Sequence, residues 1–351
     1  MNQRAVLYAL AAAALFGVST PLAKVLTGST DPFVLAGLLY VGAGVGVAGI
    51  RWLASNVVAS DHVREASLTR ADMPWLAGAI VAGGVAGPLL LMLGLTQTDA
   101  ASASLLLTFE GVATALIAWF VFHENFDSRI ALGMALLVAG ALVLSWSGSP
   151  TLSGITGPVA VIAACIAWGI DNNLTRKVSL SDPLQIVQFK GLVAGPINLA
   201  LGLLTGGVLP ALPVASAALL VGFLGYGVSL VCFVLALRHI GSARTGAYFS
   251  TAPFLGTLVA IIGFNEPLTW QIAVAGILMA AGVWLHLTEH HEHDHEHEAM
   301  EHSHSHVHDD HHRHEHADDD PSSEPHTHVH RHEPLKHRHV HVPDMHHGHR
   351  H

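Results

Sequence analysis

The chain consists of long apolar runs separated by short polar joints. Ten such runs lie at roughly 4–26, 32–54, 73–96, 99–122, 127–147, 155–176, 183–205, 213–237, 241–264 and 267–288. About 20 apolar residues in a helix span the hydrocarbon core of a bilayer. Only 12% of the residues are charged, against about 25% in soluble domains. We therefore predict an all-α polytopic membrane protein with ten transmembrane helices in the lipid bilayer.

The second half of this apolar body repeats the first. At a shift of 142 positions Leu93 meets Leu235, Glu124 meets Glu266, and several other pairs coincide. The first and sixth runs match at a shift of 152, with Phe16-Gly17 opposite Trp168-Gly169. These matches predict two five-helix repeats, over residues 1–148 and 149–288. Because each repeat has an odd number of helices, the second is expected to be inverted relative to the first.

The basic residues predict the orientation of the chain. With the N-terminus inside the cell, the cytoplasmic joints and helix ends contain Arg51, Arg64, Arg70, Arg129, Arg176, Lys177, Arg238 and Arg244. The opposite joints contain no Lys or Arg. Cytoplasmic joints are enriched in these residues, so we expect a multi-pass protein of the cytoplasmic (inner) membrane with both termini in the cytosol.

Glu110 is the most informative charge in the body, because it lies near the middle of the run from Thr98 to Glu124. Charges at the bilayer centre are rare and usually face the protein interior. Two interpretations stay open: Glu110 serves a substrate or proton pathway, or it forms a structural ion pair with Lys24 or Lys190. Its counterpart in the second half is Ala252, so the two halves are not chemically equivalent.

Further polar residues interrupt the apolar runs. Together with Glu110 they form the predicted substrate or proton pathway: Ser19, Lys24, Asp171, Asn172 and Lys190. Polar groups at this depth either line a cavity or form hydrogen bonds between helices. Lys24 also lies near the end of its run, where a long side chain can extend to the membrane surface.

At these residues the body resembles the drug/metabolite transporter superfamily in its EamA-type form. The resemblance rests on the run Phe16 to Lys24, on AASASLLLTFE at the start of the fourth run, and on the recurring Glu124 and Glu266. It covers residues 1–288 and implies ten helices in two inverted repeats, with secondary transport and often efflux of metabolites or amino acids. It also implies that Glu124 and Glu266 hold turns and helix N-termini rather than substrate.

The composition changes abruptly at residue 289. Residues 1–288 contain 11 Lys+Arg and 11 Asp+Glu, whereas residues 289–351 contain 5 and 15, so the net charge of −10 belongs to the tail. The tail has few apolar residues and cannot bury a core, so we predict that residues 289–351 form a disordered cytosolic segment.

Histidines alternate with other residues along this tail. The candidate metal ligands are His291, His293, His295, His297, His302, His304, His306, His308, His326, His328, His330, His332, His337, His339 and His341. Imidazole binds Zn, Ni and Co, so a divalent transition metal is expected on the tail, although no cofactor is required by the body. An expression tag and a solvated segment with incidental metal binding are the alternatives.

Three functions remain open from the sequence. The first is export of a small solute linked to Zn, Ni or Co, with the tail collecting or sensing the metal. The second is an ordinary metabolite or amino-acid exporter whose tail buffers metal or regulates the carrier. The third is a membrane metal store or sensor that transports nothing. No nucleophile–base pair, phosphate-binding loop or HExxH motif occurs, so we expect neither an enzyme nor a nucleic-acid partner; a homodimer stays open.

Overall fold

The structure is a computed structural model that describes residues 3–57, 67–122, 128–144, 152–178 and 181–287, and four segments of the tail. The first half contains α1 (Gln3–Thr27), α2 (Pro32–Val57), α3 (Met73–Ala79), a π-helical segment π1 (Ile80–Ala86), α4 (Gly87–Gln97), α5 (Ala100–Leu106), α6 (Phe109–Phe122) and α7 (Ser128–Leu144). The second half contains α8 (Leu152–Arg176), α9 (Pro183–Leu204), α10 (Leu212–Gly222), π2 (Phe223–Val228), α11 (Ser229–Phe249), α12 (Ala252–Gly263) and α13 (Trp270–Leu287).

These helices confirm a polytopic membrane architecture. Among the described residues, six segments are long and apolar enough to cross a membrane: Ala5–Thr27, Pro32–Leu53, Met73–Gln97, Ile155–Arg176, Pro183–Leu204 and Leu212–Ala236. Shorter apolar helices cover Ala100–Thr114, Ala131–Leu144, Ala252–Gly263 and Trp270–Leu285. The six long segments and the four shorter ones fall on the ten apolar runs of the sequence. The count of ten membrane crossings and the repeat boundaries stay predictions.

The fourth run differs from the prediction of one uninterrupted helix. α5 ends at Leu106 and α6 begins at Phe109. Between them, the backbone N–H of Thr108 donates to the carbonyl of Leu105 at 3.1 Å, and the Thr108 hydroxyl donates to the same oxygen at 2.8 Å. The tight turn replaces the regular helical bonds at this point, and Glu110 therefore lies in the first turn of a new helix.

A second boundary was also predicted wrongly. A joint at residues 238–240 was expected, but α11 continues through it to Phe249, and the break comes instead at 250–251 before α12. No proline or glycine occupies 238–240, so nothing in the local sequence prevents the helix from continuing. Pro253 lies in the first turn of α12, where its missing N–H would have no helical partner in any case.

The two halves pack against each other reciprocally. α1 of the first half lies against α11 and α12 of the second, while α8 of the second half lies against α4 and α6 of the first. α2 and α9 share an extensive contact, within which a Cβ atom built on Gly191 would meet the backbone of Gly44. Small residues of this kind allow membrane helices to approach closely. The core between the helices contains large, fully buried side chains, including Leu35, Leu39, Leu91 and Met92.

Four short tail segments pair as antiparallel strands. β1 (His291–Glu296) pairs with β4 (Lys336–His341), and β2 (Met300–His306) pairs with β3 (His326–His332). These segments differ from the fully disordered tail that composition predicts. Alternation of histidine with a second residue fits the two-residue period of a strand, although an isolated pair of strands is only marginally stable in water.

Candidate functional site

A cavity lies between the two halves and is lined by residues from both of them. Aromatic rings form much of its wall: Phe16, Tyr40, Trp168, Tyr226, Phe233 and Phe249. The ring of Phe16 lies 6.0 Å from that of Trp168 and 5.9 Å from that of Tyr226, both at steep angles. Phe16 and Trp168 occupy the same position in the first and sixth apolar runs at the 152-residue shift. The two repeats therefore contact each other at this cavity through corresponding residues.

The cavity is large enough for a small solute. Its volume is about 80 Å³. One water molecule needs roughly 10–15 Å³, so the cavity has room for several water molecules or for one small solute. Its walls are mainly apolar, with a few charged and polar groups among them. This combination is typical of small-molecule sites, in which apolar walls bind the body of a ligand and a few polar groups orient it.

Glu110 lines the cavity directly after the break between α5 and α6. Its Oε1 accepts a hydrogen bond of 2.9 Å from Nδ2 of Asn172. The same Asn172 nitrogen lies 3.3 Å from the hydroxyl of Thr114, which in turn donates to the carbonyl of Glu110. A negative group in the first turn of a helix is stabilised by the helix dipole. Glu110 is therefore oriented by an amide and by its own helix, rather than by a cation.

Asp171 and Lys190 form a buried ion pair beside Glu110. Nζ of Lys190 lies 2.5 Å from Oδ1 of Asp171, and Lys190 also donates to the hydroxyl of Thr175 at 2.8 Å. Thr175 completes a triangle by donating to the same Asp171 oxygen at 2.7 Å. The sequence left open an ion pair of Glu110 with Lys190 or Lys24; the observed partner of Lys190 is instead Asp171.

Ser19 and Lys24 lie outside the cavity wall. The Ser19 hydroxyl donates to the carbonyl of Phe16 within its own helix. Nζ of Lys24 donates to the carbonyl of Leu95, which joins α1 to the end of α4. Of the six predicted pathway residues, the structure thus brings Glu110, Asp171, Asn172 and Lys190 together in the wall. Ser19 lies behind the wall next to Gly225 and Tyr226, and Lys24 is bonded to the end of α4. A transport role for any of the six stays a prediction.

Sequence reasoning missed the part that the π-helical segments play. The carbonyl of Gly83 in π1 accepts hydrogen bonds from the Tyr40 hydroxyl at 2.7 Å and from Nε1 of Trp168 at 3.0 Å. The next carbonyl, of Gly84, accepts from Nδ2 of Asn198. A π-helix widens the hydrogen-bonding pattern of the backbone, which leaves carbonyls available to side chains. The adjacent glycines Gly83 and Gly84 were the only available signal.

Gly83 also has no room for a side chain. A Cβ atom built on Gly83 would overlap the carboxylate of Asp171. The backbone of π1 therefore contacts the buried ion pair directly. We infer that glycine is required here, because any side chain would displace the Asp171 carboxylate.

Metal ligands do not converge in the part of the chain that the structure describes. It holds no group of three or more His, Cys, Asp or Glu residues placed to bind a metal ion. In the tail, the backbone register sets histidine opposite histidine, as in His293 with His339 and His304 with His328. Metal binding by the tail stays a prediction.

Glu266 holds a helix N-terminus, as the resemblance implies. Its two carboxylate oxygens accept hydrogen bonds from the backbone N–H groups of Ala100 and Ala101, at 2.9 and 2.8 Å. Asp99 caps the same helix through the N–H of Ser102. Glu266 thus joins the second half to the start of α5. Its counterpart Glu124 lies outside the described residues.

A helical membrane body with a partly polar cavity between two related halves is typical of membrane transporters. The model of the EamA-like transporter family matches the chain twice, over residues 3–146 and 155–288. The chain therefore belongs to the EamA-like transporter family, which is a family of transporters rather than of enzymes.

Individual relatives agree with this assignment. The chain is 30% identical over 288 residues to an uncharacterized transporter of Methanothermobacter thermautotrophicus, with 79% of this chain and 84% of the relative covered. It is 23% identical over 205 residues to a probable amino-acid metabolite efflux pump of Salmonella typhimurium, with 53% of this chain and 66% of the pump covered. A solved crystal structure with 19% identity matches at a TM-score of 0.59 and covers 80% of this chain and 94% of its own, which supports the fold alone.

Proposed function

We propose that the protein is a secondary transporter that exports a small organic solute across the cytoplasmic membrane, with both termini in the cytosol. The observation that carries this proposal is the cavity between the halves, whose wall contains a carboxylate, Glu110, bonded to an amide and not to a cation. Transporters built from inverted repeats bind their substrates at such an interface, beside interrupted helices.

Glu110 would serve as the site of proton exchange. Asp171 is already neutralised by Lys190 at 2.5 Å, so these two charges form one unit that needs no further partner. Among the described residues Glu110 forms no ion pair of its own, since Lys190 is paired with Asp171. A buried carboxylate without its own counter-ion favours the uptake of a proton or of a positively charged group. Exchange of that occupant on the two sides of the membrane would couple solute efflux to proton entry.

Reconstitution tests this function. Proteoliposomes containing the full-length protein would be loaded with a mixture of amino acids and amines, and efflux under an imposed proton gradient would be measured by mass spectrometry. We expect gradient-dependent efflux of a subset of the mixture with the native protein. With Glu110→Gln, the protein should still insert but the gradient should no longer drive efflux.

The matched control is Asp72→Asn. Asp72 is a partly exposed carboxylate that accepts hydrogen bonds from Thr69 and does not line the cavity. Its replacement should leave coupled efflux unchanged. Equal coupled efflux by native protein and Glu110→Gln would overturn the proposed role of Glu110, and the absence of any gradient-dependent efflux by the native protein would overturn secondary export.

For the tail we propose a separate role as a cytosolic buffer of Zn or Ni. This proposal rests on the alternating histidines between His291 and His341, since the described body residues offer no metal site. Calorimetric titration of full-length protein with Zn at neutral pH should show several bound equivalents, and a variant truncated after residue 288 should lose them. Equal Zn binding by both would refute the buffering role.

The same pair of proteins separates the other two functions. Zn or Ni flux into proteoliposomes by the full-length protein would favour metal export over organic export. Failure of either protein to move any tested solute, together with metal binding, would favour the non-transporting store. We expect solute export by the truncated protein as well, because the cavity is made of residues 16–249.

A further inference from the structure

We propose that the cavity binds an organic cation: a solute with an ammonium group on a compact apolar body. The inference rests on the proposed transport function and specifies its substrate class. Three features of the cavity lead to it: its net charge, the state of its hydrogen-bond donors, and the arrangement of its rings.

The charged groups in the wall leave one negative charge without a cation. The described residues that line the cavity include three charged side chains, Glu110, Asp171 and Lys190. Asp171 and Lys190 neutralise each other over 2.5 Å. A monocation placed beside Glu110 would make the cavity neutral, whereas an anion would leave two negative charges together in a low-dielectric space.

The donors in the wall are mostly bonded already. The Tyr40 hydroxyl and Nε1 of Trp168 both donate to the carbonyl of Gly83, and the Ser229 hydroxyl donates to the carbonyl of Ala12. An anionic ligand needs free donors, and these three groups cannot supply them without breaking a bond. Acceptors in the wall, in contrast, are available to a ligand without breaking such a bond.

Two oxygen atoms in the wall can accept a hydrogen bond from a ligand. The structure gives Glu110 a hydrogen bond from Asn172 to Oε1, and among the described residues it gives none to Oε2. The Tyr226 hydroxyl is buried beside the side chain of Ser19, whose own hydroxyl proton is donated to the carbonyl of Phe16. Both oxygens belong to residues that line the cavity, and either can accept a bond from an ammonium group.

The aromatic residues supply the second requirement for binding a cation. Phe16 contacts Tyr226 and Phe249, with ring centroids 5.9 and 5.4 Å apart, and Tyr226 contacts Tyr40 at 5.6 Å. Ring faces attract ammonium groups, and cages of several rings recognise quaternary ammonium ligands. The apolar remainder of the ligand would contact the same rings.

Calorimetry on the detergent-solubilised full-length protein tests this inference with four probes: choline, its uncharged isostere 3,3-dimethylbutan-1-ol, phenylacetate and phenylalanine. Choline carries a fixed positive charge, and its isostere differs only by carbon in place of nitrogen. We expect choline to bind at least about tenfold more tightly than the isostere and phenylacetate not to bind. The result is a ratio of affinities and does not require transport.

Variants of the cavity locate the binding. Phe16→Leu should weaken choline binding several-fold while Phe16→Tyr preserves it, and Glu110→Gln should weaken it most. The matched control is Phe189→Leu, because Phe189 is a partly exposed aromatic residue of α9 that does not line the cavity. Retained choline binding in both Phe16→Leu and Glu110→Gln would overturn the assignment to this cavity.

The outcomes also separate this inference from the proposed function. No binding of choline at millimolar concentration, equal affinity for its isostere, or tighter binding of phenylacetate would each overturn the cation proposal. Binding of phenylalanine without binding of choline would do the same and would indicate a zwitterionic substrate. In each of these cases, proton-driven efflux that depends on Glu110 would still support secondary transport. If the native protein showed no proton-driven efflux, that result would count against the proposed transport function and not against the cation proposal.

Discussion

The interrupted helix of the first half and that of the second share their backbone geometry and differ in their chemistry. α5 and α6 are separated at 107–108, and α11 and α12 at 250–251, which is the same point to within about one residue of the sequence repeat. Each turn contains a threonine whose hydroxyl donates to the carbonyl three residues earlier, from Thr108 to Leu105 and from Thr251 to Tyr248. At the 142-residue shift of the sequence repeat Glu110 meets Ala252, and counted from these two threonines it meets Pro253, so the second half has no acid at this point in either register.

This difference indicates that the fold and the site follow separate constraints. A break in a membrane helix needs local partners for the released backbone groups, and both halves meet that need in the same way. A second unpaired carboxylate beside Glu110 would repel it, whereas the other acid in the wall, Asp171, is paired with Lys190. The same contrast holds in the π-helical segments. At the 142-residue shift, Gly84 of π1 corresponds to Tyr226 of π2, so π2 contributes an aromatic ring to the cavity and π1 does not.

The strongest test of this comparison is Ala252→Glu, which gives the second half the acid of the first. Ala252 is fully buried, with 0% exposure, and a Cβ atom built on Gly17 would meet its carbonyl. An unpaired buried charge costs about 3–5 kcal/mol, so we expect a large loss of folded protein in a detergent melting assay. Ala252→Gln separates size from charge, and an Ala252→Glu protein as stable as the native one would contradict the expectation that the second half excludes an acid here.

Lys190→Met should have the next largest effect. Among the described residues it leaves Asp171, buried beside π1, with Thr175 as its one side-chain donor. Removal of one partner of a buried pair costs about 3–5 kcal/mol. The bond from Thr175 should keep the loss at the lower end of that range. The double variant Lys190→Met, Asp171→Asn should recover most of the melting temperature; failure to recover would mean that Lys190 stabilises the fold by packing rather than by charge.

Glu266→Ala tests whether the second half supports the first at the start of α5. Two backbone N–H groups would lose their carboxylate acceptor, and loss of such a helix cap costs about 1–2 kcal/mol. Chemical unfolding in detergent should show a loss of this size. Glu266→Gln keeps one oxygen acceptor and should lose less; equal stability of native and Glu266→Ala protein would contradict the capping role.

The smallest effect is expected for Tyr40→Phe. It removes the hydroxyl that donates to the carbonyl of Gly83, but Trp168 still donates to the same oxygen. Hydrogen bonds between membrane helices contribute about 0.6 kcal/mol on average, so the melting temperature should fall only slightly. A loss as large as that of Lys190→Met would show that the two donors are not redundant at π1.

Part of the site could be predicted from the sequence. Glu110, Asp171, Asn172 and Lys190 were identified because ionisable and amide groups are costly within apolar runs, and the structure brings them together. Their pairing could not be predicted, because hydropathy gives the depth of a residue but not the direction in which it faces. The six-ring wall was missed for a related reason: aromatic residues in apolar runs are indistinguishable from ordinary core residues until the helices are packed.

The sequence by itself determined the helical membrane class, the ten apolar segments and the register of the two halves, because these follow from composition and spacing along the chain. The tertiary structure decided which groups meet: Asp171 with Lys190, Glu110 with Asn172, and Glu266 with the start of α5. It also decided where the helices break, since the turns at 107–108 and 250–251 contain neither glycine nor proline. Lipid tails solvate the apolar surface of every helix equally well, so hydrophobicity does not favour one helix pair over another. The packing and hydrogen bonding between helices therefore select these contacts.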